Sequence, residues 1–181
     1  MFLLLNKLKR NYPIFREPVE PNPYLAAVMV VIYEKRGKNH IILIRRSYDL
    51  KNHAGEIAFP GGKYEEKDGD LLETARRETQ EELNFWIKEP LVIGRLHSVT
   101  TLTGFNVAPF VAFIDYEPVY NPNNLEVDEV LDIPLIPLLE TQSTGSDPKN
   151  SIEMVKFYYK DSRIWGATAK ILYQLAKLKT I

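Results

Sequence analysis

The 181-residue chain contains no cysteine. That excludes disulfides, zinc–thiolate sites and a cysteine nucleophile, and it is compatible with a cytoplasmic setting. No run approaches the ~18 apolar residues that a membrane span needs. The apolar start Met1–Leu5 is too short for a signal-peptide core, and it precedes Lys7, Lys9 and Arg10, the reverse of the usual order. No membrane partner is expected. An excess of one charge is also missing: 23 Lys and Arg face 24 Asp and Glu, a net charge of −1. A dedicated nucleic-acid binder usually carries a basic excess, so no nucleic-acid partner is expected. Internal repeats are absent, and the closing Lys179-Thr180-Ile181 is not a peroxisomal address. The 45% hydrophobic and 26% charged residues have the balance of an ordinary globular chain, long enough to bury a core without staples.

The patterning divides the chain into an N-terminal piece, 1–23, and a single domain, 24–181. Residues 2–11 predict a short amphipathic helix packed on the domain, with membrane-surface binding as the lesser alternative. Pro13, Pro18, Pro21 and Pro23 predict an extended linker over 12–23. Leu25–Glu34 and His40–Arg46 predict two strands joined by a turn at 35–39, a hairpin. Glu56–Phe59 predicts a short strand entering a turn at Gly61-Gly62. Asp70 predicts a helix start, with Glu73 three residues later as in a capping box. Leu71, Leu72, Ala75, Thr79 and Leu83 form that helix's core face. Leu91–Val99, Val107–Ile114, Val130–Ile133 and Glu153–Tyr159 predict further strands. Thr141–Ser151 predicts a polar loop, and Gly166–Leu178 a final helix. The fold class is α/β, a mixed sheet with a few helices.

The chemistry concentrates in Gly61–Phe85, GGKYEEKDGDLLETARRETQEELNF. Glu78 and Glu82 are four residues apart, so a helix places them on one face about 6 Å apart. Glu81 flanks that face. Acidic runs on helices are commonly solvated faces, and Glu73, Arg77 and Glu81 have the spacing of such a ladder. Packed together, however, anions repel unless a cation collects them, and a hard divalent ion does so through oxygen ligands. This is the donor set of a phosphate-handling metal site. Glu78 and Glu82 are the leading ligands. Glu81 is a third ligand or the carboxylate that orients water. Arg77 pairs with neighbouring carboxylates and fixes the helix.

Arg77-Glu78 and Glu81-Glu82, with the glycine-rich turn before them, resemble the Nudix box, G-x(5)-E-x(7)-R-E-U-x-E-E-x-G-U. Lys63 and Gly69 fall at its first glycine and first glutamate positions, Thr79 replaces its aliphatic residue and Asn84 its closing glycine. Upstream, Arg45-Arg46-Ser47 and His53-Ala54-Gly55-Glu56-Ile57-Ala58-Phe59-Pro60-Gly61-Gly62 resemble the added signature of the coenzyme A pyrophosphatase branch. The resemblance continues more weakly through Pro109-Phe110-Val111, Glu126-Val127-Asp128-Glu129-Val130 and Ile164-Trp165-Gly166-Ala167-Thr168-Ala169, and covers most of the chain from about Tyr24. It implies an α/β/α sandwich and a Mg2+- or Mn2+-dependent pyrophosphohydrolase. The small nucleotide substrate would be coenzyme A or its derivatives, with adenosine 3′,5′-bisphosphate and 4′-phosphopantetheine as products. ADP-ribose, NADH or nucleoside triphosphates are alternative substrates, and a non-catalytic nucleotide-binding module is the alternative class.

By the same resemblance, the backbone at Gly61 and Gly62 lies close to the metal, and a distal loop glutamate, Glu126 or Glu129, serves as catalytic base. Arg45 and Arg46 end a strand beside the motif and have the chemistry to bind phosphate bidentately. Alternation directs only one of them to the site, and Arg46 is preferred. Glu56 is a candidate further ligand or a contact behind the ligands, and His53 a candidate neighbour of the site. Tyr116, Tyr120, Phe105 and Trp165 have the chemistry to stack on adenine, but aromatics of this kind are more often core. A homodimer is left open.

Overall fold

A computed structural model of the chain describes residues 2–16, 19–20, 22–146 and 153–180. Its centre is the strand β1 (Leu25–Lys35), which is almost wholly buried. Alternation splits its side chains between two cores. Ala27, Met29, Val31 and Tyr33 face one layer, and Ala26, Val30 and Ile32 the other. β1 pairs antiparallel with β2 (Lys38–Arg46) and with β4 (Gly61–Lys63). On its other side it runs parallel to β7 (Asn106–Ile114), from Leu25 opposite Asn106 to Tyr33 opposite Ile114. β3 (Ile57–Ala58) and β8 (Val127–Pro134) pair with β2, while β5 (Val92–Arg95) and β6 (Val99–Thr100) pair with β7. The result is a mixed sheet. A second, three-stranded sheet joins β9 (Ser143–Ser146), β10 (Glu153–Tyr159) and β11 (Ser162–Ile164).

Helices cover both faces of the main sheet. α2 (Leu71–Leu83) lies on one face, its Leu72, Ala75 and Leu83 packed with the odd-numbered residues of β1. On the opposite face lie α3 (Leu135–Glu140) and α4 (Gly166–Thr180), with Leu135, Leu138, Ile171, Leu172 and Leu175 in the core. This is an α/β/α sandwich. α1 (Phe2–Asn11) docks on the same layer. Leu8 is fully buried, Lys7 Nζ donates to Leu178 O at 3.2 Å, and Tyr12 O accepts from Arg95 N–H at 3.0 Å. Among the described residues, no helix is long and apolar enough to cross a membrane.

Several sequence expectations are corrected. Leu91–Val99 is not one strand. Residues 96–98 leave the ladder between β5 and β6, where Gln174 of α4 takes both backbone groups of His97 at 3.0 and 2.9 Å. Gly61-Gly62 lies in a strand paired with β1, not in a turn. The strand expected from Val130 begins at Val127, so Glu129 lies inside it. β8 does end at Pro134, and Pro134 and Pro137 flank and open α3, because proline is tolerated in a first turn. The loop expected over 141–151 contains β9, paired with β10, and 147–151 lie outside the described residues.

If α1 is an integral part of the core, Leu8→Ala removes a fully buried side chain and lowers unfolding free energy by roughly 2–4 kcal/mol. A thermal melt indistinguishable from the parent's would show that the helix is not docked.

Candidate active site

Asp70 caps α2, accepting from Glu73 N–H at 2.9 Å. The reciprocal half of a capping box is missing, because the Glu73 carboxylate turns to Arg76 and Arg16. At the other end Asn84 takes the left-handed conformation and closes the helix on Gln80 O. Asn84 thus stops the helix where the family pattern has glycine.

Arg77 organises the first half of the site. Its Nε and one terminal nitrogen clasp both oxygens of Asp68 at 2.7 and 3.1 Å. The other terminal nitrogen reaches Glu78 at 2.9 Å and Glu81 at 2.8 Å, and Lys63 O accepts at 3.1 Å. Asp68 also accepts from Thr74 Oγ1 and Glu65 N–H. Its side chain is only 3% exposed, and burial alone would raise its pKa. The Arg77 clasp and the other donors outweigh burial and hold it below the usual carboxylate range. The hydrogen bonds with Asp68 contribute most to raising the Arg77 pKa, so its charge is permanent. Sequence reasoning missed Asp68. Its signal is the short 3-10 turn Glu66–Asp68, which brings an acid back toward Arg77.

Glu82 forms the second half. It is 2% exposed, on the core side of α2. Its Oε2 accepts from Gly61 N–H at 2.9 Å, and Arg46 stands 3.6 Å from its Oε1. Burial pushes its pKa up to about 8, against the opposing pull of that N–H and of Arg46, while Glu78 and Glu126 push it further up. Burial likewise raises Glu78 despite its bond to Arg77, and Glu81 and Glu126 add to the rise. A buried and a partly buried carboxylate thus stand undercompensated. The backbone leaves them room: a Cβ on Gly62 would lie 2.4 Å from the Glu78 carboxylate carbon.

The remaining candidates divide. Arg46 Nε is buried without a hydrogen-bond partner among the described residues. Arg45 turns instead to Ser162, Gly55 O and Glu129. Glu129 is thereby occupied on a strand. Glu126 is carried to the carboxylates by a loop whose Asn121 and Asn123 N–H groups donate to the C-terminal carbonyls of α2 at Leu83 and Glu82, and its own carbonyl accepts from Ser47 N–H. Glu81 is half-exposed and held by Arg77. His53 and Glu56 pair with each other at 3.1 Å. The Trp165 ring centre lies 5.8 Å from the Arg163 guanidinium, and Tyr120 packs against the core. A cleft of about 220 Å³, lined by Phe15, Arg16, Leu72, Arg95 and Phe110 among others, includes none of Arg46, Glu78, Glu81 and Glu82.

Among the described residues no three acidic or histidine side chains converge as a ready-made cage. Mg2+ does not require one, because it keeps several waters and is usually held by one or two carboxylates plus substrate phosphates. Undercompensated Glu78 and Glu82 against a side-chain-free backbone fit that demand, and carboxylate oxygen suits Mn2+ equally.

Residues 23–158 match the model of the NUDIX domain. The chain belongs to the Nudix family. It is 36% identical over 140 residues to the uncharacterized Nudix hydrolase NudL of Pectobacterium atrosepticum, covering 75% of this chain and 73% of that one. It is 33% identical over 177 residues to the NudL of Photorhabdus laumondii, covering 96% and 94%. The Nudix domain of Shewanella oneidensis NrtR, solved with ADP ribose, superposes with a TM-score of 0.54 at 20% identity, over 67% of this chain and 79% of that one. At that identity the likeness shows the Nudix fold alone. Family membership makes the chain a Nudix pyrophosphohydrolase.

The Glu82 carboxyl carries a stability consequence in metal-free protein. A folded pKa raised above the unfolded value near 4.5 means that stability is fully present below pH 4.5 and is lost as pH rises toward 8. Glu82→Gln removes that loss, so at pH 8 without metal its melting temperature should exceed the parent's by about 2 °C or more. A lower melting temperature would contradict the assignment. The glycines should separate differently. On Gly61 a Cβ would meet the Ala27 carbonyl oxygen at 2.4 Å, but on Gly62 it meets only the end of a flexible side chain. Gly61→Ala should therefore depress the melting temperature, whereas Gly62→Ala should leave it nearly unchanged and lower kcat by roughly tenfold or more, because a small misplacement of catalytic groups is costly.

Proposed function

We propose that the protein hydrolyses the pyrophosphate bond of coenzyme A or its derivatives, releasing adenosine 3′,5′-bisphosphate and 4′-phosphopantetheine. The observation that carries this reading is the joining of the two motifs at one carboxylate. Arg46 and Gly61, from the signature similar to that of coenzyme A pyrophosphatases, both meet Glu82 of the Nudix helix.

The geometry supports the following roles. Glu78 and Glu82 would hold the divalent ion, Mg2+ or Mn2+, near the Gly61-Gly62 backbone. When bound, the ion polarises phosphate oxygens and lowers the pKa of water. Arg46, with an unused Nε–H, is suited to donate to a substrate phosphate. Glu81 orients water, within the limit set by its bond to Arg77. Glu126, drawn toward the carboxylates, is the better placed of the two candidate bases, since Glu129 is occupied by Arg45. Arg77 is a positioning residue. Its bonds to Asp68 and Lys63 O register α2 against β4. The cytoplasm is the setting proposed for this activity.

ADP-ribose is the second reading, favoured by the ligand in the NrtR complex. Incubation with Mg2+ or Mn2+ and, separately, coenzyme A, ADP-ribose, NADH and dGTP distinguishes them by chromatography of the products. Adenosine 3′,5′-bisphosphate from coenzyme A should appear fastest, and Glu82→Gln should reduce its rate by at least about 100-fold. Faster cleavage of ADP-ribose would transfer the assignment to it, and metal-dependent turnover of none would favour a nucleotide-binding module.

A further inference from the structure

Lys63 stands where the family pattern has glycine, directly after Gly61 and Gly62. Its backbone belongs to the site through Arg77, but its side chain does not. Gly62 faces α2, so alternation along β4 turns the Lys63 side chain to the opposite face. There its ammonium lies 5.1 Å from the centre of the Phe105 ring. Among the described residues, no carboxylate pairs with it.

Phe105 is half-buried and meets Tyr24 edge-on, with ring centres 5.7 Å apart. Tyr24 is 54% exposed. The trio is held by backbone rather than by chance packing. Thr101 closes a tight loop before Phe105, donating its N–H to Phe105 O and accepting Phe105 N–H on Oγ1, both at 2.9 Å. Gly104 completes the loop at φ +87°, with Tyr24 3.9 Å from where a side chain would begin. On the other side, Asn106 N–H donates to Tyr24 O at 2.7 Å, tying Tyr24 to the start of β7. A half-buried and an exposed aromatic ring are therefore fixed in place beside the Lys63 ammonium before any ligand arrives, which lowers the ordering cost of binding.

Position decides what such a surface would hold. Lys63 is one Cα step, about 3.8 Å, from Gly62. Gly62 abuts the Glu78 carboxylate, one of the two proposed ligands of the ion that would hold a phosphate. Among the described residues β4 pairs with β1 alone, so a group attached to that phosphate by a short linker would pass the other edge of β4 to reach the trio. Flat rings stack on aromatics through a face that every nucleobase has, and an ammonium donates to ring nitrogens.

We propose that Lys63, Phe105 and Tyr24 form the platform that holds the substrate's nucleobase. The inference rests on the nucleotide-hydrolase reading for its substrate class, but its test does not need turnover. α,β-Methylene-ADP and methylenediphosphonate carry the same non-hydrolysable phosphate pair, with and without a nucleoside. Their affinities with Mg2+ are measured by calorimetry for the parent, Lys63→Met and Tyr24→Ala. The parent should bind the nucleotide more tightly than the diphosphonate. Each substitution should reduce that preference by about fivefold or more, at an unchanged melting temperature and with diphosphonate affinity within about twofold of the parent's. Phe105→Leu, which keeps apolar bulk, should do the same. A preference unchanged in Lys63→Met and Tyr24→Ala, or no preference in the parent, would overturn the platform. A preference lost as expected in a protein that hydrolyses neither coenzyme A nor ADP-ribose would support the platform and remove the hydrolase reading instead.

Discussion

The Arg77 guanidinium is the interaction on which the arrangement turns. It draws together Asp68 from a 3-10 turn, Glu78 and Glu81 from α2 and the Lys63 carbonyl from β4. Without a fixed cation, three acidic groups would repel across a short span of chain. With it, α2 is registered against β4, and that registration places Gly61 N–H on Glu82 and the bare backbone of Gly62 on Glu78. Arginine suits this role because its planar fork keeps its charge and its geometry together, which lysine does not.

That one cation does not neutralise everything explains the electrostatic character of the centre. Arg77 serves the acids on its own side of α2, and Glu82 is left to a single N–H and to Arg46 at a longer distance. A fold optimised for stability alone would hardly bury a carboxylate with so little compensation. The strain is sensible if a second cation completes the set during function.

Much of this was legible in the sequence because local chemistry and global role coincide there. Asp70 and the Leu72–Ala75–Leu83 spacing mark the start and the core face of α2, and the four-residue interval fixes which face Glu78 and Glu82 share. Arg45 and Arg46 point apart as alternation requires, one to Ser162 and the other to Glu82. What was illegible depends on contacts distant in sequence. Asp68 looks like a surface acid until Arg77 folds back on it. The break between β5 and β6 is stabilised by Gln174, 77 residues away from His97. Glu126 and Glu129 sit in one acidic run, and only the docking of the preceding loop on the end of α2 separates their surroundings.

The parallel pairing of β1 with β7 has a kinetic corollary. Every residue from Arg45 to Glu82 that contributes to the carboxylate centre lies in the excursion between those two strands. Joining them closes a long loop, with an entropy loss that the local hairpin between β1 and β2 does not incur. Contacts of such wide sequence separation form slowly. The hairpin and α2 have the local signals to form early, yet the sheet face on which α2 rests is incomplete until β7 docks. The centre should therefore assemble late and all at once, and a partly folded chain would have the acidic helix without the scaffold that gives its charges a purpose.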